Sequence, residues 1–123
     1  MNPSDRITVF LAEGEKHVSS ALTLMLEHQP KFEVHGKADT AESLLAQVCV
    51  QPPDVILLDW NLPGLNPQRL FPALRQCCPG TLIVVSSVIP EQKTVHEYQL
   101  DGFVSKQLPP KEFIAELLAI ISG

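Results

Sequence analysis

The stretch Asp54-Val-Ile-Leu-Leu-Asp59-Trp-Asn-Leu-Pro-Gly64 decides how this chain is read. Its apolar residues run without a polar break and stop at an aspartate, the pattern of a strand in a parallel sheet covered on both faces. Pro63-Gly64 supplies turn chemistry just beyond. Asp59 is therefore expected at the carboxyl end of a buried strand.

Working upstream, Ile7 to Ala12 has the same character, and Val18, Ala21, Leu22, Met25 and Leu26 then follow the i, i+3, i+4 stripe of an amphipathic helix, which Gln29-Pro30 ends. A shorter strand runs from Phe32 to Ala38. Asp39 with Glu42 reads as a capping box for a helix carrying Ala41, Leu44, Leu45 and Val48, closed by Pro52-Pro53.

Downstream, Asn66 is placed to cap a helix with Pro67 at its first position, and Pro72 is expected to kink or shorten it. Thr81 to Val85 reads as a fourth strand. The helix expected from Glu91 to Gln99 has few apolar anchors beyond Val95 and Tyr98, so it should dock less firmly than the others. After the Asp101-Gly102 turn comes a fifth strand, Phe103 to Lys106. Pro110 opens a last helix with Phe113, Ile114, Leu117, Leu118 and Ile121 on one face.

Five strand–helix units joined by helical crossovers imply an α/β fold, a doubly wound parallel sheet with helices on both faces. Ligands of such sheets bind beyond the carboxyl ends of the strands. Glu13, Gly14 and Glu15 should gather there with Asp59, Ser86, Ser87 and Lys106. Carboxylates, a hydroxyl and a lysine on one rim suit a hard cation and a phosphoryl group, because Mg²⁺ takes carboxylates, waters and phosphate oxygens.

The bulk numbers narrow the function classes. A chain of 123 residues is expected to form a single domain, 1–123, with no room for an output domain. A net charge of −5 argues against direct nucleic-acid binding, which needs a basic footprint. Ile7–Ala12 is too short for a signal or membrane segment, so no membrane association and a cytoplasmic location are expected. Cys49, Cys77 and Cys78 show neither redox nor metal-ligand spacing and read as reduced thiols. His17, His28, His35 and His96 lack ligand spacing and read as surface residues.

The run Val55 to Gly64 resembles the phosphoacceptor signature of bacterial two-component response-regulator receiver domains, the CheY-like superfamily. Glu13 after the first strand, Val85-Ser86-Ser87 after the fourth and Gly102-Phe-Val-Ser-Lys106 stand at that family's spacing, so the resemblance covers the whole chain. It implies flavodoxin-like strand order 2-1-3-4-5 and phosphorylation of Asp59 by a sensor histidine kinase or phosphotransfer protein. Mg²⁺ would be held by Glu13, Asp59 and the backbone carbonyl of Asn61, with Glu15 as a further candidate. Lys106 and Ser86 would contact phosphoryl oxygens, and Phe103 would turn as the switch. The surface of the fourth helix, fifth strand and fifth helix would signal to an output domain or protein and is a candidate homodimer face. Receivers are not enzymes in the ordinary sense; they assist only their own phosphorylation and dephosphorylation.

The family usually carries two adjacent acids after the first strand, and here the second position is Gly14. That departure is expected to weaken Mg²⁺ binding, and it keeps open a pseudo-receiver that is never phosphorylated. Gln107 replaces a proline common after the lysine. A haloacid-dehalogenase-type phosphohydrolase also uses an aspartate at a strand end. Such enzymes generally carry a second aspartate two residues on, where this chain has Asn61. Under plainer readings Asp59 caps a turn, Glu13 and Glu15 are solvated acids at a helix start, and Phe103 is an ordinary strand aromatic.

Overall fold

The computed structural model describes residues 6–88 and 92–123, residues 92–94 by their backbone. Five strands and five helices alternate along it. They are β1 (Ile7–Ala12), α1 (Lys16–Glu27), β2 (Phe32–Ala38), α2 (Ala41–Val50), β3 (Val55–Asp59), α3 (Pro67–Cys77), β4 (Leu82–Ser87), α4 (Gln92–Glu97), β5 (Gly102–Ser105) and α5 (Pro110–Ser122). The strands form one parallel sheet in the order β2-β1-β3-β4-β5, as the doubly wound reading requires. Every residue of β3 is buried, which is why its run is continuously apolar.

Alternation along the strands divides the core in two. Val9, Leu11, Val55, Leu57, Val84 and Val104 face the layer containing Leu26 of α1 and Phe113, Ile114 and Leu117 of α5. Phe10, Ala12, Ile56, Leu58, Ile83 and Val85 face α2 and α3 through Leu44, Val48, Leu70, Phe71 and Leu74. Following the first face past the strand ends gives Glu13, Asp59 and Ser86. The period-2 pattern that builds the α1–α5 core thus also delivers the polar rim.

Several boundaries differ from the expected ones. The cap of α2 is Thr40, whose Oγ1 accepts the Ser43 N–H at 3.1 Å, so the expected Asp39–Glu42 box lies one residue too early. Asn66 makes no side-chain cap bond. Pro72 does not shorten α3, which runs unbroken over Pro67–Cys77. The carbonyl denied a partner by its missing N–H belongs to Gln68, and both residues are exposed, so water can satisfy it. β4 begins at Leu82, because the Thr81 N–H is taken up in a turn bond to the Cys78 carbonyl at 3.1 Å, while its hydroxyl donates to the Pro53 carbonyl at 2.7 Å. β5 ends at Ser105 and leaves Lys106 in the following turn. The expected start of the fourth helix, Glu91, lies outside the described residues. Its end falls two residues before Gln99, which has φ 55°, a conformation that cannot continue the helix.

The cysteines contradict the reduced-thiol reading. Cys49 and Cys77, separated by 28 positions, form a disulfide joining the last turns of α2 and α3, while Cys78 is free and buried. Spacing gave no sign of this, because the pair meets only when two helices cover the same sheet face. His35 is half-buried rather than a surface residue, and its Nε2 is buried without a partner. Among the described residues no helix is long and apolar enough to cross a membrane.

Candidate functional site

The expected rim residues meet at the carboxyl edge of the three central strands. Asp59 ends β3 and lies in register with Ser86 of β4; the preceding pair in the β1–β3 ladder is Ala12 with Leu58, which brings Glu13 alongside Asp59. All three are buried: Glu13 is 3% exposed, Asp59 6% and Ser86 1%. Two acids this deep require a cation. Lys106 provides it, its Nζ lying 2.6 Å from Glu13 Oε1 and 2.9 Å from Asp59 Oδ1. The backbone holds the lysine in place, since Lys106 N–H donates to the Ser87 carbonyl at 2.8 Å.

The electrostatics follow from this crowding. Burial raises the pKa of Glu13; the Lys106 hydrogen bond opposes the shift, and the neighbouring Asp59 adds to it. Burial alone would lower that of Lys106, but its bonds to Glu13 and Asp59, together with their charges, carry it above the ordinary lysine value. Glu13 Oε2 also accepts the Glu15 N–H at 3.1 Å, which fixes the carboxylate toward the rim.

Ser86 Oγ is buried with no hydrogen-bond partner. A hydroxyl desolvated in this way costs free energy unless a ligand atom pairs with it. Ser87 is buried beside it. Asn61 donates its N–H to Asp59 Oδ1 at 3.1 Å and so orients the carboxylate, while its own side chain is exposed. Phe103 is half-buried, paired in register with Val85 and packed against the α2–α3 layer.

Glu15 sits elsewhere. Its carboxylate caps α1 by accepting the Val18 N–H at 2.8 Å, and that bond holds its pKa below the usual range. Gly14 is closed off by Pro63: a Cβ built on Gly14 would lie 2.4 Å from Pro63 Cδ and 3.0 Å from Cγ. Pro63 is itself tied down through its carbonyl, which accepts the Ala41 N–H at 2.9 Å. Among the described residues no three or more His, Cys, Asp or Glu side chains converge as a ready metal cage. Two carboxylates and a carbonyl completed by waters are still a donor set that Mg²⁺ accepts.

Trp60 follows Asp59 and is half-buried. Its ring is stacked with Phe71 of α3 at 6.3 Å and tilted against Tyr98, just after α4, at 6.2 Å. Neither this aromatic group nor the Pro63–Gly14 contact was legible in local pattern, because each joins segments distant in sequence.

A parallel sheet in this order, with acids, hydroxyl and lysine on its carboxyl rim, is the architecture of signal receivers. The signal receiver domain of the response regulator NarL from Mycobacterium tuberculosis superposes with a TM-score of 0.84 at 22% identity, over 97% of this chain and 98% of that one. The isolated receiver domain of RcsB from Salmonella enterica serovar Typhimurium gives 0.83 at 20% identity, over 96% and 90%. The family model of the response regulator receiver domain matches residues 9–118, and the chain belongs to that family.

Among curated relatives, the nitrate/nitrite response regulator NarL of Escherichia coli K12 is 25% identical over 126 residues, covering the whole of this chain and 58% of that protein. A protein-glutamate methylesterase/protein-glutamine glutaminase of Geobacter sulfurreducens is 29% identical over 117 residues, covering 94% of this chain but 31% of its own length. The chain thus spans less than two thirds of either relative.

Proposed function

We propose that Asp59 accepts a phosphoryl group from the phosphohistidine of a sensor histidine kinase or phosphotransfer protein. A carboxylate oxygen attacks phosphorus as the P–N bond breaks, and the departing imidazole takes its proton from solvent. The observation that carries this reading is the buried, partnerless Ser86 Oγ in register with Asp59. A phosphoryl oxygen would accept its hydrogen bond, and Lys106 would pair with another. Such transfers depend chiefly on alignment and charge neutralisation, which this rim provides.

Glu13, Asp59 and the Asn61 carbonyl would hold Mg²⁺, which supplies further neutralisation of phosphoryl charge when bound. As Ser86 moves toward the phosphoryl group, Phe103 turns inward and alters the α4–β5–α5 surface read by an output domain or partner protein, or by a second copy of the chain. We place this exchange in the cytoplasm, with residues 1–123 acting as one receiver unit. The unit turns over no substrate beyond its own phosphoryl group and does not contact nucleic acid itself.

The contact of Pro63 over Gly14 favours a second reading, a pseudo-receiver that binds partners without being phosphorylated. Titrating beryllofluoride with Mg²⁺ while following Trp60 fluorescence separates the two. A saturable change that disappears in Asp59→Asn is expected; no change in the unsubstituted protein sinks the phosphoacceptor reading.

A further inference from the structure

The Cys49–Cys77 disulfide lies on the α2–α3 surface and is not part of the rim chemistry. Cys49 is exposed, Cys77 is half-buried, and the remaining thiol, Cys78, is buried with its Sγ 4.0 Å from that of Cys77. Of the two bonded residues, Cys49 is the more open to solvent. Thiol–disulfide exchange requires an attacking thiolate to reach a sulfur, so that exposure determines where exchange begins.

We propose that Cys49–Cys77 is a reversible thiol-exchange site for low-molecular-weight thiols of the glutathione type, and that its oxidation governs the pairing of α2 with α3. An incoming thiolate attacks Cys49 Sγ, forming a mixed disulfide as the bond to Cys77 breaks. Cys77 leaves as a thiolate and is protonated by water. A second small thiolate then attacks the sulfur of the bound thiol, releasing Cys49 as a thiolate and a small-molecule disulfide. Two small thiols are oxidised for each protein disulfide reduced, and the reverse sequence restores the cross-link.

Cys78 does not enter this exchange, despite being adjacent to Cys77. Its Sγ donates to the Leu74 carbonyl at 3.0 Å within α3, and burial raises its pKa, so the nucleophilic thiolate is suppressed. The site therefore has two states, one cross-linked with a single protected thiol and one with three thiols of which two are accessible. The cross-link sits at the end of α3, the helix whose Phe71 stacks with Trp60 next to the rim. Loosening α3 would release one side of that aromatic group.

The test uses the intact chain under native conditions, with alkylation and peptide mass mapping before and after equilibration in glutathione buffers. Oxidised protein should take no label while folded and one, at Cys78, once unfolded. After native reduction Cys49 and Cys77 should label while Cys78 stays protected. Hydrogen exchange in peptides from 41–50 and 67–77 should quicken on reduction, and in Cys49→Ser it should not respond to the thiol. A bond reducible only after unfolding, or pairing of Cys77 with Cys78, would overturn the exchange site. Unchanged hydrogen exchange on reduction would overturn its control of the α2–α3 pairing.

Discussion

Adding a single carbon at Gly14 probes whether the rim has been repacked around a missing acid. In Gly14→Ala the new Cβ would sit 2.4 Å from Pro63 Cδ, more than an ångström inside ordinary carbon contact. Pro63 is exposed, but its ring is rigid and its carbonyl is held by Ala41 N–H, so relieving the contact means shifting the whole turn rather than one rotamer. Overpacking of this kind costs about 1–3 kcal/mol. Gly14 has no positive φ, so alanine meets no backbone strain and gains about 0.4–1 kcal/mol through the unfolded state. The net loss should be roughly 1–2 kcal/mol, read in urea titrations or as a fall in Tm of about 4–8 °C for a chain of this size. Pro63→Ala removes the ring atoms, so adding Gly14→Ala to it should cost little or nothing. A coupling of about 1 kcal/mol or more between the sites is the expected signature. Equal costs of Gly14→Ala in both backgrounds would refute the packing argument. The same logic makes Gly14→Asp alone a poor rescue of Mg²⁺ binding and Gly14→Asp/Pro63→Ala a better one, testable by Mg²⁺ titration of Trp60 emission.

Other substitutions probe the remaining contacts. Ser86→Ala removes a partnerless buried hydroxyl, so stability should rise by about 1 kcal/mol while the beryllofluoride response weakens; a destabilised variant in urea titrations would show that the hydroxyl has a partner after all. Glu13 binds its proton more tightly folded than unfolded, so its contribution favours the folded state at acid pH and is lost as pH rises through its folded pKa. Glu13→Gln should therefore flatten the stability profile above the ordinary glutamate range, as measured by urea titration at several pH values. Thr40→Ala should cost about 1 kcal/mol through loss of the α2 cap, read as a lowered urea midpoint. Cys49→Ser opens a loop spanning 28 positions and should lower stability by about 3–4 kcal/mol if chain entropy dominates, a difference that should vanish when both proteins are compared fully reduced.

What could be read in the sequence was governed by local periodicity. The continuous run before Asp59 and the alternation in the other strands gave the sheet, its covered faces and the edge where chemistry gathers, because burial imposes those patterns residue by residue. Lys106 and Ser86 fell into place for the same reason: each follows a strand whose end was visible. For Glu15 the sequence left two uses open, metal ligand or acid at a helix start, and the open N–H groups at the start of α1 claim its carboxylate. Thr40 and Asp39 are both good caps by composition, and only the entry angle of the chain chooses between them. Neither the Cys49–Cys77 bond nor the closure of Gly14 by Pro63 has a local signature, since both arise where loops and helices far apart in sequence are laid together by the sheet.

The rim nevertheless explains its own incompleteness. A second acid at position 14 would place a third carboxylate beside the Glu13–Asp59 pair, which one ammonium already serves at 2.6 and 2.9 Å. With glycine there, Lys106 offsets one of two negative charges in the free site rather than one of three, and Pro63 can pack into the space the side chain would have used. On the proposed phosphorylation of Asp59, the same lysine would turn toward the added oxygens and leave Glu13 less well compensated. That exchange of partners should tighten the hold of Glu13 on a proton or on a cation. The Glu13 carboxyl, whose pKa burial and Asp59 raise despite Lys106, is therefore the group to follow. With Mg²⁺ already present, a carboxyl carbon resonance assigned to Glu13 should shift on adding beryllofluoride to the unsubstituted protein and remain still in Asp59→Asn. A resonance that moves equally in both would show that Lys106 does not link the two acids.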